Sequence, residues 1–212
     1  MPVSFMKQGG YDKEAIAARE AEINGKPQRV EPIRREELSG DAKGVVDRIR
    51  VSLGLTPHAH VPEYCLTMVK HPEIFRCQME MGTAIFKGKL PPRERELAIL
   101  RVAWLMRAPY EWGEHVDIGK RNGVTSEEIE RVIQGSGAPG WSEDDATILR
   151  AVEELLSEQA ISDNIWAKLA KRWNEQQLLE FPMMVGQYVA TALVQNALRV
   201  RLEPDNPGLT YR

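Results

Sequence analysis

Residues 92–123 read PRERELAILRVAWLMRAPYEWGEHVDIGKRNG. The first half, up to the break at Pro109, carries apolar residues on nearly every face of a helix, which predicts a buried central helix. The second half predicts a shorter helix that ends near Gly123, a residue common at helix C-termini. In this shorter helix Glu111 and His115 stand at i and i+4, so their side chains share one face. A carboxylate and an imidazole are therefore expected to converge on one pocket.

Apolar residues recur at helical spacing throughout the rest of the body, and no segment shows the alternation of a half-buried strand. Signals of helix starts accompany this pattern, such as Thr125 with Glu128, which have the spacing of a capping box. Asn174 opens a long apolar helix that Pro182 is expected to kink. The residues of this last helix that we expect in the core are Met183, Met184 and Tyr188. The body of the chain is therefore predicted to be all-α.

The two ends of the chain differ in composition from the body. Charged residues, Gly and Pro dominate residues 1–36, where only residues 14–22 look helical. We expect residues 1–36 to form an extended arm that lies on the body or on a neighbouring subunit. Residues 37–200 are predicted to form the helical domain, and residues 201–212 a C-terminal tail.

The composition limits the class of protein. With 212 residues and 42% hydrophobic content, the chain is long enough for a sizeable core. Its formal net charge of -3 gives no basic field that would attract nucleic acid or anionic lipid. The sequence shows no secretion signal and no apolar run of membrane-spanning length, so we expect a cytoplasmic protein. Cys65 and Cys77 have the spacing of neither a redox pair nor a metal knuckle, and we expect two buried free thiols.

Glu96 adds a second carboxylate to the pair on the shorter helix. It lies near the start of the buried helix, where a charge needs a partner or a shifted pKa. If the two helices fold back on each other at Pro109, Glu96 approaches Glu111 and His115. Such a group is suited to proton transfer near neutral pH. The aromatic residues expected to wall this site are Trp104, Tyr110 and Trp112.

Two other interpretations of the Glu–His pattern stay open at this point. The pair at i and i+4 also occurs by chance on helix surfaces, where it stabilises a helix by about 0.2–0.5 kcal/mol. Two carboxylates and a histidine also form a ligand set for iron, manganese or zinc, to which His58 and His60 would add if their loop reached the site. No E-x-x-H motif of the di-metal bundle type occurs in the sequence, so we rank metal binding below acid–base catalysis.

The whole pattern resembles the carboxymuconolactone decarboxylase family, whose fold is shared with alkylhydroperoxidase D (AhpD). The resemblance covers about residues 38–200 and rests on three strings, LPPRERELAILRVAW, YEWGEHV and GVTSEEI. It implies an all-α, AhpD-like helical bundle that assembles as a homo-oligomer, a trimer or a hexamer. The long apolar helix after Asn174 is a candidate surface for that assembly.

The peroxidase branch of this family carries a glutamate, eleven intervening residues, a C-x-x-C pair, three more residues and a histidine. In this sequence the pattern falls on Glu96, then on Ala108 and Glu111 in place of the two cysteines, and then on His115. Thiol peroxidase chemistry needs one thiolate to attack the peroxide and a second thiol to resolve the product. Ala108 and Glu111 supply neither thiol, which argues against the peroxidase activity that the family suggests.

The resemblance then implies the decarboxylase-like branch, whose carboxy-lyase reactions use no metal or organic cofactor. Its small-molecule substrates are carboxylated lactones from the degradation of aromatic compounds, and related keto acids have the same chemistry. We expect His115 to donate or accept a proton, Glu111 to be its partner or the base, and Glu96 to orient His115. Arg101 or Arg107 is a candidate clamp for a substrate carboxylate. A chain that binds a ligand or assembles without catalysis is the remaining alternative.

Overall fold

The computed structural model describes residues 6–7, 10–52 and 60–212. A two-residue antiparallel pair near the N-terminus, β1 (Met6–Lys7) and β2 (Gly10–Tyr11), is too short to show alternation in the sequence. Every longer element in the described residues is helical, which confirms the all-α prediction. The helices are α1 (Lys13–Ile23), α2 (Gly40–Ser52), α3 (Glu63–Met68), α4 (Pro72–Phe86), α5 (Pro92–Leu105), α6 (Pro109–Arg121), α7 (Ser126–Gln134), α8 (Glu143–Ser157), α9 (Asp163–Ala170) and α10 (Glu175–Leu198).

Helix α5 is the central helix of the bundle. Residues 95–104 are all buried, and α6, α7, α8 and α10 pack around them. Ile99 faces one hydrophobic cluster and Leu97 faces another, so apolar packing covers opposite sides of the helix. Burial of each such side chain contributes about 1.5–3 kcal/mol to stability. None of the helices that the structure describes combines the length and apolarity required of a membrane span.

A tight turn reverses the chain between α5 and α6. Arg107 adopts a left-handed conformation with a φ of 53°, and the next residue, Ala108, is extended, as expected before a proline. The N–H of Ala108 donates to the carbonyl of Ala103 at 3.0 Å. Pro109 then occupies the first turn of α6, where its missing N–H costs no hydrogen bond. The turn lays α6 back along α5, and so brings the middle of α6 to the start of α5.

The ends of the later helices follow the sequence signals closely. The side chain of Thr125 accepts from the N–H of Glu128, while the Glu128 side chain accepts from the N–H of Thr125, so the predicted capping box is present. Asn174 caps α10 in the same reciprocal way. Helix α10 continues through Pro182 to Leu198.

The N-terminal helix and the C-terminal residues pack against each other on the body. The side chain of Glu20 accepts a hydrogen bond from the N–H of Leu209 at 2.6 Å, and Ile16 is buried beside the same segment. Arg19 donates to the carbonyl of Arg107 at 3.0 Å, which ties α1 to the turn before α6. The division of the chain into arm, domain and tail stays a prediction, since residues 1–5 and 8–9 lie outside the described part.

Gly113 on α6 allows the C-terminal segment to lie directly on this helix. A Cβ atom at Gly113 would come within 1.6 Å of Oδ1 of Asn206. The Asn206 side chain donates to the carbonyl of Tyr110 at 3.1 Å and to Oε1 of Glu114 at 3.0 Å. The contact therefore links the tail to two residues on one face of α6.

We expect Gly113→Ala to displace the tail and lower the free energy of unfolding by about 1–3 kcal/mol, as overpacking of a core usually does. Urea unfolding measures this change, and limited proteolysis measures release of residues 201–212. The matched control is Gly186→Ala on α10, where a Cβ meets nothing within 4 Å. That change is expected to be neutral or stabilising by up to about 1 kcal/mol. Equal stability of the two variants would contradict the packing role of Gly113.

Candidate active site

A cavity of about 340 Å³ lies between α3, α4, α6 and α10. Its polar side on α6 is formed by Glu111, Glu114 and His115. The volume suits a small molecule of roughly one ring with substituents. Apolar and aromatic residues that line the rest include Pro62, Tyr64, Met79, Phe86, Tyr110 and Tyr188.

Glu96 and His115 join α5 to α6 inside the protein. Nδ1 of His115 lies 2.8 Å from Oε2 of Glu96, whose side chain has no exposed surface. Nε of Arg95 donates to the other carboxylate oxygen at 2.9 Å. Burial alone would raise the pKa of Glu96, but His115 and Arg95 outweigh it and hold the pKa below its ordinary value. Glu96 is therefore an ionised acceptor, and the Nδ1–H of His115 donates to it.

The other ring nitrogen of His115 is turned towards Glu111. Nε2 lies 3.4 Å from Oε1 of Glu111, and the side chain of Glu111 is only 4% exposed. Burial raises the pKa of Glu111 above its ordinary value. Burial would by itself lower the pKa of His115, but Glu96, followed by Glu111 and Glu114, reverses this effect and raises it.

The three residues predicted from the sequence, Glu96, Glu111 and His115, therefore come together at one wall of the cavity. Glu96 holds one nitrogen of His115, which fixes the ring and favours its protonated form. The second nitrogen and Glu111 both face the cavity, so two groups that gain and lose protons stand next to each other. This arrangement can deliver a proton to a bound molecule and accept one back. The catalytic roles of Glu96, Glu111 and His115 stay predictions.

Glu114 and Tyr188 are among the cavity residues that sequence reasoning missed. Glu114 is one turn from Tyr110 and bonds Asn206, and burial raises the pKa of its carboxyl. Tyr188 belongs to α10, and its ring lies edge-on to the His115 ring with centroids 4.9 Å apart. In the sequence, the position of Tyr188 in an apolar stripe predicted only that this residue is buried in the core. In that stripe Met184 is buried as expected, whereas Met183 is 55% exposed, so the prediction of a buried Met183 is wrong.

Of the three aromatic residues expected around the site, the structure brings only Tyr110 to the cavity. Its hydroxyl donates to Oε1 of Glu203 at 2.7 Å. Trp104 and Trp112 lie in the cluster on another side of α5, with ring centroids 5.0 Å apart. Because Trp112 follows Glu111 directly, it is rotated by about 100° around the helix and points into the core. We therefore assign these two tryptophans to packing.

The two arginines expected to hold a carboxylate are likewise away from the cavity. The guanidinium of Arg101 is 2.8 Å from Oε1 of Glu153 and donates to the carbonyls of Val132 and Ile133. This pairing satisfies a buried cation between α5, α7 and α8. Arg107 sits in the turn before α6, near Arg19 and Glu22. The cationic side chain that does line the cavity is that of Lys87, at the end of α4.

The two histidines outside α6 that the structure describes, His60 and His71, do not line the cavity. His60 is exposed, with Nε2 2.6 Å from Oε2 of Glu203 and Nδ1 2.8 Å from the guanidinium of Arg35. His58 lies outside the described residues. Within the described part of the chain, no group of three His, Cys, Asp or Glu side chains is arranged to hold a metal ion. The metal-binding alternative thus has no donor set to support it in the described residues.

The two cysteines lie in different surroundings. Cys65 is buried and lines the cavity, whereas Cys77 is exposed, so the prediction of two buried thiols is wrong for Cys77. Burial, with Glu203 and Glu114 nearby, raises the pKa of Cys65 to about 12. At neutral pH Cys65 is therefore a thiol rather than the thiolate that attacks a peroxide.

Residues 72–154 match the model of the carboxymuconolactone decarboxylase family. This segment is similar to that family. It runs from α4 into α8 and contains Glu96, Glu111 and His115, and the predicted family resemblance is confirmed for these residues. A search of curated proteins with the sequence finds no match.

Solved structures with the same fold are AhpD-like proteins. A peroxidase-related protein from Ralstonia eutropha JMP134, described as an alkylhydroperoxidase AhpD core, has 14% identity and a TM-score of 0.71, covering 85% of this chain and 95% of its own. A cysteine-to-alanine variant of the debrominase Bmp8, in complex with 2,3,4-tribromopyrrole, has 18% identity and a TM-score of 0.67, covering 85% and 94%. A putative antioxidant defence protein AhpD from Agrobacterium tumefaciens has 15% identity and a TM-score of 0.58, covering 64% and 94%. These likenesses confirm the AhpD-like helical fold.

The hydrogen bond between Glu96 and His115 can be tested by Glu96→Gln. Because the carboxylate that favours imidazolium is removed, we expect the pKa of His115 to fall, and NMR titration of its ring measures this. Loss of one partner of a buried ion pair is also expected to cost about 3–5 kcal/mol of unfolding free energy. Glu158→Gln, at an exposed carboxylate, is the control. An unchanged titration of His115 in Glu96→Gln would refute the electrostatic coupling.

Proposed function

We propose that this chain is a cofactor-independent enzyme of the decarboxylase type that transfers protons to carbon through Glu111 and His115. The proposed substrate is a small carboxylated lactone or keto acid. The observation that supports this proposal most directly is the position of His115, held by Glu96 on one nitrogen and facing Glu111 with the other. A proton donor, Glu111, and the group that can return a proton to it, His115, therefore lie next to each other at the wall of one cavity.

The proposed reaction on a β-keto acid proceeds in two steps. The bond between the carboxylate and the α-carbon breaks, carbon dioxide leaves, and the electron pair passes into an enolate. Glu111 then gives a proton to the α-carbon, a role that burial favours because it raises the pKa of this carboxyl. His115 returns a proton to Glu111 and is itself reprotonated from solvent, so the cycle balances.

The charge of the cavity supports a carboxylated substrate. Lys87 and protonated His115 are the cationic groups that line it. Burial raises the pKa values of Glu111 and Glu114, which reduces the negative charge that would repel an anion. The structure of the debrominase with the same fold contains 2,3,4-tribromopyrrole, a small halogenated ring. A ring of that size suits the cavity of about 340 Å³ in this protein.

Thiol peroxidase activity is the competing function within this fold, and the residues disfavour it. Ala108 and Glu111 stand where the peroxidase motif needs two thiols. Cys65 reaches the cavity, but with a pKa of about 12 it does not form a thiolate at neutral pH.

We also propose that the chain assembles as a homo-oligomer, a trimer or a hexamer. Helix α10 carries three exposed apolar residues that share one face, Leu179, Met183 and Leu193. Apolar side chains in a stripe of this kind suit a contact between subunits.

The catalytic proposal is tested by assaying carbon dioxide release from carboxylated lactones and β-keto acids. We expect Glu111→Gln and His115→Asn to slow turnover by about 100-fold or more, as loss of a general acid or base usually does. Glu158→Gln, far from the described cavity lining, is expected to retain the wild-type rate. Equal rates in all four proteins, or no turnover by the wild type, would leave a binding or assembly role in place of catalysis.

A further inference from the structure

Three tyrosines line the cavity, and they differ in what their hydroxyls contact. The hydroxyl of Tyr64 donates to Oε1 of Gln78 at 2.9 Å. That of Tyr110 donates to Oε1 of Glu203 at 2.7 Å. The hydroxyl of Tyr188 makes no hydrogen bond to the residues that the structure describes. One phenol of the three is thus available to a bound molecule.

The ring of Tyr188 is held in a fixed position next to the catalytic candidates. It is 7% exposed and packs edge-on against the imidazole of His115 at an interplanar angle of 89°. Glu111 and Glu96 are close enough to act electrostatically on its hydroxyl. The position of this hydroxyl relative to His115 is therefore set by packing before any substrate binds.

The proposed reaction needs a hydrogen-bond donor for the oxygen that becomes negative. Three neutral groups of the α4–α10 wall are committed to each other: Nε2 of Gln78 bonds Thr191, the hydroxyl of Thr191 bonds the carbonyl of Gln187, and the amide of Gln187 bonds the carbonyl of Gln78. The amide group of Gln195 is hydrogen-bonded to Glu111, and its buried oxygen, which has no partner, can only accept. Tyr188 and Thr83 carry the hydroxyls of this wall that bond no described residue, and of the two Tyr188 is the one that packs on His115.

We propose that the hydroxyl of Tyr188 donates a hydrogen bond to the substrate carbonyl oxygen that gains negative charge as the carbon–carbon bond breaks. This inference rests on the proposed function and narrows its substrates to molecules whose carbonyl oxygen reaches Tyr188 while the α-carbon faces Glu111. Donors fixed at the place where charge develops stabilise the transition state more than the ground state. Tyr188 is then a catalytic residue in addition to Glu111 and His115.

The phenol also keeps its proton under working conditions. Burial, with the neighbouring Glu111 and Glu96, raises the pKa of Tyr188 well above its ordinary value. It is therefore a neutral O–H donor across the neutral range, and is not itself a candidate base.

Tyr188→Phe removes the hydroxyl and keeps the ring that packs on His115. We expect kcat to fall by about 100-fold while KM changes by less than about threefold, because the lost bond forms mainly in the transition state. The melting temperature should stay at the wild-type value. Tyr211→Phe is the matched control, because the hydroxyl of Tyr211 bonds Asp117 outside the cavity lining. A kcat of Tyr188→Phe within about threefold of the wild type, or an effect on KM alone, would overturn the assignment.

A binding measurement separates this inference from the proposed function. The probe is 4-nitrophenol, a planar oxyanion whose visible absorbance reports its ionisation. We expect wild-type protein to bind the phenolate, and Tyr188→Phe to bind it at least about tenfold more weakly, the effect of one lost hydrogen bond to a charged group. Equal affinity in the two proteins, or no phenolate binding by the wild type, would overturn the role of Tyr188.

The two experiments together identify which proposal fails. If phenolate binding depends on Tyr188 but no lactone or keto acid is turned over, the oxyanion donor stands and the decarboxylase-type function falls. If Glu111→Gln abolishes turnover while Tyr188→Phe leaves kcat unchanged, the function stands and the role of Tyr188 falls.

Discussion

A carboxylate with no exposed surface, at the start of the central helix, is the constraint on which the rest of the site depends. Glu96 needs partners because an unpaired buried charge is costly, and it finds them in Arg95 on its own helix and His115 on the next. The bond to His115 crosses from α5 to α6, so it also fixes the register in which the two helices meet. The turn at Arg107 and Pro109 makes this register possible.

The same bond sets the charge states of the site. Because the pKa of Glu96 is lowered, its contribution to stability is present above its ordinary pKa and is lost as the pH falls through the lowered value. The pKa of His115 is raised, so its contribution is present below its ordinary pKa and is lost as the pH rises through the raised value. Glu111 acts in the opposite sense to Glu96, since its raised pKa favours the folded protein in acid. Between these limits the site holds the ion pair of Glu96 and His115 beside Glu111, whose pKa is raised by burial.

Patterns of local spacing in the sequence predicted the central helix, the capping box at Thr125 and the trio of Glu96, Glu111 and His115. The directions in which neighbouring side chains point were harder to predict from the sequence, because residues that are adjacent in a helix do not lie on the same face. Trp112 lies beside Glu111 in the chain but points into the core, and Arg101 turns to Glu153 on α8. Tyr188 follows His115 by more than seventy residues in the sequence, so only the packing of α10 against α6 reveals it. Local patterns do not encode such long-range contacts.

In this AhpD-like fold Glu111 and Ala108 stand where the peroxidase motif has two thiols, and the central claim is that Glu111 and His115 transfer protons there. The most direct measurement is turnover of a β-keto acid in D₂O, followed by mass spectrometry and NMR of the product. We expect one deuterium at the carbon that carried the carboxylate, because that carbon receives its proton from a solvent-exchanged donor. A product without deuterium at that carbon, or turnover that requires an added thiol reductant, would contradict proton transfer by Glu111 and His115.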